Sequence, residues 1–115
     1  MSDANQRQLR QEYKDNPPAI GVYLIQNVAN QRYLLASSNN VEGAINRHCF
    51  ELKMRGHRNK ALQQDWLADG EAQFRFSVLD TVTLKDDPAF DVQAELAGLL
   101  TLWQEEMAKT RGEVY

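Results

Sequence analysis

Apolar residues recur along the chain in short blocks set apart by turn-forming residues, and their spacing changes from block to block. Residues 2–15 are polar apart from Leu9 and Tyr13 at i, i+4, which predicts a helix over 1–16 with a thin apolar stripe. Asp15-Asn16-Pro17-Pro18 ends it, because each proline disfavours helix in the residue before it. Ile20–Ile25 is rich in strand formers, and Arg32–Ser37 follows after an Asn-containing turn, so the two form an antiparallel hairpin. Ser38-Asn39-Asn40 offers an N-cap to a helix over 41–55, with Val41, Ile45, His48 or Cys49 and Leu52 on one face and Gly56 closing it. Residues 59–68 form a second helix, capped by Asn59 and stopped at Gly70, with Leu62, Trp66 and Leu67 as its apolar side. Phe74, Phe76 and Val78 alternate on a third strand. The last helix, 90–108, presents Val92, Glu95 or Leu96, Leu99, Leu102 or Trp103, and Met107.

The order α-β-β-α-α-β-α implies an α+β fold. A small three-stranded antiparallel sheet is flanked by helices, with an extra N-terminal helix (1–16) ahead of a single domain (17–115). A length of 115 residues suits one core, and the lone Cys49 excludes an internal disulfide, so a reducing, cytoplasmic setting is expected. No apolar run is long enough for a membrane span, and residues 1–18 lack the apolar segment of a signal peptide. Thirteen basic against sixteen acidic residues give a net charge of −3, so bulk charge does not mark a nucleic-acid binder. The charge is uneven, however. Arg47, Lys53, Arg55, Arg58 and Lys60 cluster around one helix and its turn, opposed by Glu51, whereas residues 80–115 are acidic. Such a cluster permits phosphate binding at one edge. Trp66 and Trp103 read as core anchors, and Cys49 as a packed residue rather than a nucleophile.

Several stretches together resemble GIY-YIG nuclease domains. Gly21-Val22-Tyr23 and Leu34-Leu35-Ala36 lie on the paired strands and lead into Ser37-Ser38-Asn39-Asn40-Val41. Farther on come Gly56-His57-Arg58-Asn59-Lys60 through Trp66, and Gly70-Glu71 ahead of alternating phenylalanines. The resemblance covers about residues 18–107. It implies phosphodiester cleavage at one divalent metal, using a Tyr from each of the first two motifs, an Arg, two His and a metal-binding Glu. Position by position, Tyr23 matches the first Tyr, His48 and His57 the histidines, and Glu95 the metal ligand. The second Tyr falls on Leu34, its Gly on Ala36, and the Arg on Ala44. Tyr33 does not replace the lost phenol, because adjacent strand residues point to opposite faces. Arg47, three residues from Ala44, is the candidate replacement for the guanidinium, against the plainer reading of a solvated helix residue.

The resemblance therefore implies that Tyr23, His48 and Glu95 face one cleft beside the second strand. The leading expectation is a nuclease-like domain with a degraded site, little or no cleavage, and weak nucleic-acid affinity through the basic cluster. One alternative is a divergent divalent-metal-dependent endonuclease, taking Mg²⁺ if active, that uses Tyr23, His48, His57 and Glu95 with Arg47 or another basic residue in place of the lost arginine. The other is a protein-interaction domain or homodimer that keeps only the fold.

Overall fold

Strand-forming residues on either side of an Asn-rich turn fold as the expected hairpin in the computed structural model, which describes residues 18–115. Strand β1 (Gly21–Asn27) pairs antiparallel with β2 (Tyr33–Ser38), Tyr23 opposite Ala36 and Ile25 opposite Leu34. Helix α1 (Val41–Lys53) and helix α2 (Lys60–Asp69) follow, then a short 3-10 turn (Glu71–Gln73), strand β3 (Phe74–Thr81) and helix α3 (Val92–Ala108). The sheet order is β2-β1-β3, so β1 is central and its continuous apolar run is buried on both sides. The helix expected over residues 1–16 lies outside the described residues. Among the described residues no helix is long and apolar enough to cross a membrane.

The two sheet faces carry separate cores. Tyr23 and Ile25 pack with Val41, Leu52, Leu62, Trp66 and Phe74 on the face covered by α1 and α2. Leu24, one residue out of phase, packs with Tyr33 and Met107 beneath α3. Trp66 is the aromatic anchor of the first core, its ring 5.3 Å from that of Phe74. Trp103 is only half-buried and directs its indole N–H towards Asp80 at 3.4 Å. On α3 the buried residue of the ambiguous pair is Leu96, while Glu95 and Leu102 are exposed.

Local signals set the helix ends. Asn40 accepts from Gly43 N–H at 2.9 Å, and Asn59 accepts from Leu62 N–H at 3.1 Å, each satisfying an orphan donor of the first turn. Gly70 takes a left-handed φ of 88° after α2. After α1 the left-handed residue is Arg55 (φ 62°) rather than the expected Gly56. Gly56 N–H reaches the Glu51 carbonyl (2.9 Å) and Arg55 N–H that of Leu52 (3.2 Å), which is a Schellman closure. Between Val22 and Tyr23 the β1–β3 register slips, leaving Leu79 as the extra residue of a bulge. There β3 comes so close that a Cβ on Gly21 would strike the Asp80 carbonyl oxygen, so this strand opening requires glycine. At the other end, residues 113–115 run beside β2. Tyr33 N–H donates to the Glu113 carbonyl, and Tyr115 N–H donates to the Tyr33 carbonyl.

Candidate functional site

Strand alternation places the Tyr23 side chain towards α1, and the helical repeat brings His48 over it. The phenolic oxygen and His48 Nε2 are 2.8 Å apart. His48 Nδ1 lies 2.7 Å from His57 Nε2, with the two imidazoles stacked at 5.0 Å between centroids. The turn that carries His57 is fixed from both sides. Gln63 Oε1 accepts from His57 N–H (3.0 Å), while Gln63 Nε2 donates to the Leu52 carbonyl (3.1 Å). A buried Gln thereby ties the end of α1 to the start of α2, a role its sequence position does not advertise.

This chain of hydrogen bonds has a direction. Asn59 N–H donates to His57 Nδ1 at 2.9 Å, and a backbone amide can only donate. A neutral His57 then carries its proton on Nε2 and donates to His48 Nδ1. His48 in turn carries its proton on Nε2 and donates to Tyr23. Burial lowers the pKa of both histidines, with Glu51 pulling the other way, so the neutral forms dominate near pH 7. Burial raises the Tyr23 phenol above its ordinary value, partly offset by Arg58. Tyr23 therefore accepts from His48 and keeps its own hydrogen to donate.

Tyr23 lines a cavity of about 450 Å³ together with Ser38, Asn40, Arg47, His48 and Arg58. A second lobe of about 520 Å³ shares Tyr23, His48 and Arg58 and is floored by Leu34 and Ala36. The position expected to hold an arginine, Ala44, lies in the wall of the first lobe. Arg47 and Arg58 both reach that lobe, which the sequence suggested only for Arg47. Arg47 Nε pairs with Glu51 Oε1 at 3.1 Å, and Arg58 Nε lies 3.8 Å from Glu51 Oε2. Of the remaining basic residues, Lys53 pairs with Glu71 at 3.5 Å, and Arg55 and Lys60 are exposed without an ion pair among the described residues.

The structure thus brings together Tyr23, His48, His57, Arg47 and Arg58. On α3, Leu96 and Met107 are buried, Met107 in the core of the opposite sheet face, and Glu95 is not among the residues that line the Tyr23 cavity. Glu95 is exposed in the first turn of that helix. The helix start does approach the end of β2, where Gln93 Nε2 donates to Asn39 Oδ1 at 2.9 Å. Among the described residues no group of three His, Cys, Asp or Glu side chains is placed to hold a metal ion. Cys49 is half-buried, and burial raises its thiol pKa, which suits the packing role expected for it.

A three-stranded antiparallel sheet with α1 and α2 on one face and α3 on the other is the fold of a GIY-YIG nuclease domain. The catalytic domain of the homing endonuclease I-TevI is similar over 83% of this chain and 96% of its own, with a TM-score of 0.62 and 23% identity. A second structure of the I-TevI intron endonuclease catalytic domain, a glutamate-to-alanine mutant, is similar over 78% and 84%, with a TM-score of 0.61 and 21% identity. No protein-family model and no curated protein sequence matches the chain. Nucleases of this fold generally depend on a divalent metal.

Proposed function

We propose that this GIY-YIG-like domain binds the phosphates of nucleic acid at the Tyr23 cavity and its basic surround, with little or no cleavage. The carrying observation is the direction of the Asn59–His57–His48–Tyr23 chain, which makes Tyr23 a hydrogen-bond donor into a cavity flanked by Arg47 and Arg58. A donor phenol and two guanidinium groups suit a phosphate oxygen. The same chain works against Tyr23 as a base, since burial disfavours its phenolate. Cleavage is further weakened by Leu34 and Ala44, where the resemblance implies a second phenol and an arginine. Loss of one group that stabilises transition-state charge costs about 10²- to 10³-fold in rate. Glu95 is exposed and does not line the Tyr23 cavity, which adds to this support.

Fluorescence anisotropy with labelled duplex DNA and with RNA, repeated across salt, tests the binding. Each neutralised phosphate contributes about −0.9 to the slope of log affinity against log salt for duplex DNA. The variant Arg55→Ala/Arg58→Ala/Lys60→Ala should lower both affinity and slope. No binding at low salt would remove the reading and favour a protein-interaction domain. Incubation with plasmid, single-stranded DNA and RNA in Mg²⁺ or Mn²⁺ tests the chemistry. Metal-dependent cutting abolished by Glu95→Gln would establish a divergent nuclease instead.

A further inference from the structure

Two exposed arginines at the mouth of a cavity ordinarily sample many rotamers, and ordering them would oppose binding. Here one carboxylate reaches both. Glu51 sits on α1, one turn after Arg47, with its side chain only 17% exposed. Its Oε1 holds Arg47 Nε at 3.1 Å, and its Oε2 faces Arg58 Nε at 3.8 Å and His57 Nε2 at 4.0 Å. Oε2 is buried and makes no hydrogen bond among the described residues, so its only polar neighbours there are the Arg58 and His57 nitrogens. Both arginine pairs run through Nε. The terminal amino nitrogens of each guanidinium are therefore left without a hydrogen-bond partner among the described residues, and they form the fork that fits two phosphate oxygens. Arg47 is on a helix and Arg58 on the turn after it, so nothing else in the described hydrogen-bond network couples them.

We infer that Glu51 is the positioning residue of a two-arginine phosphate clamp. It orients Arg47 and Arg58 over the cavity lined by Tyr23, Ser38 and Asn40, and the ligand is a phosphodiester of a nucleic-acid backbone. This rests on the binding reading above and adds the device that organises it. The clamp has a consequence opposite in sign to simple electrostatics. A carboxylate close to a phosphate site repels the ligand, so its neutralisation alone would tighten binding. If its work is to hold the arginines, neutralisation loosens binding.

The test is anisotropy of a labelled duplex DNA against the full chain, Glu51→Gln, Arg47→Gln/Arg58→Gln, and the triple variant that combines them, at one low salt concentration. Glu51→Gln should weaken binding by about fivefold in the native background and should not weaken it further once both arginines are gone. Tighter or unchanged binding by Glu51→Gln, with the arginine pair still required, overturns the clamp and leaves the binding reading standing. Equal weakening in both backgrounds also overturns it, because the carboxylate would then act through the fold rather than through the arginines. Absence of any binding by the native chain overturns the clamp together with the reading beneath it.

Discussion

Leu62→Ala should cost the domain about 2–5 kcal/mol, measured by chemical denaturation. Leu62 is fully buried and packs in the core that joins α1 and α2 to the Tyr23 face of the sheet. Small domains have only about 5–15 kcal/mol in total, so one cavity there removes a large share. The site should respond as well. Leu62 directly precedes Gln63, whose two hydrogen bonds set the turn of His57 against α1. Collapse around the missing side chain loosens that tie, and the pKa values of His48 and His57, followed by NMR, should move back towards that of a free histidine. A loss below about 1 kcal/mol, or histidines unmoved despite a large loss, would show that the seating of α2 does not depend on this residue.

Acid should destabilise the domain above the range in which carboxylates titrate. His48 and His57 both have folded pKa values below the ordinary value near 6.5, chiefly because burial penalises the imidazolium. Above pH 6.5 both states are neutral and the full stability is present. As pH falls from 6.5 through the lowered folded pKa values, the unfolded chain binds more protons and stability is lost. Protonating His57 would in addition break the bond it accepts from Asn59 N–H. Asp65, whose pKa is lowered mainly by the hydrogen bond from Tyr115, contributes only at more acidic pH, below its ordinary 3.8. The melting temperature should therefore fall between pH 6.5 and 5, and His48→Asn/His57→Gln should flatten that fall. An equal slope in the double variant would place the acid sensitivity elsewhere.

What the sequence disclosed follows from how local each signal is. The β1–β2 hairpin, the caps Asn40 and Asn59, and the stop at Gly70 depend on a few neighbouring residues, and all are legible in a single reading. The three-stranded antiparallel sheet flanked by helices was likewise within reach of the resemblance, though not the division of the helices between its two faces. Choices decided by distant packing were not. Whether Glu95 or Leu96 turns inward depends on where α3 lies on the sheet, and periodicity alone leaves both open. Asn27, which reads as a turn former, is fully buried and donates to Asp69 at 2.8 Å and to Tyr115 at 3.1 Å. The left-handed residue after α1 is Arg55 although a glycine stands next to it. At the candidate site, matching positions singled out Tyr23, His48 and His57, and the folded chain joins these three by hydrogen bonds. Arg58 and Glu51 matter through distances that only the folded chain creates.

The C-terminal tail has a bearing on solubility. An outer strand with unsatisfied amides and carbonyls is a template for another molecule's strand. On β2 the tail takes both outward backbone groups of Tyr33, and Gly112 lies so close that a Cβ there would strike the Gln31 carbonyl. A foreign strand meeting this edge finds only Leu35–Ser38 to register against, shorter than an ordinary strand. Protection against edge-to-edge aggregation is thus supplied on this side by the chain's own backbone and not by lysines or prolines. Shortening the tail would expose a longer sticky edge even where the core and the cavity stayed intact.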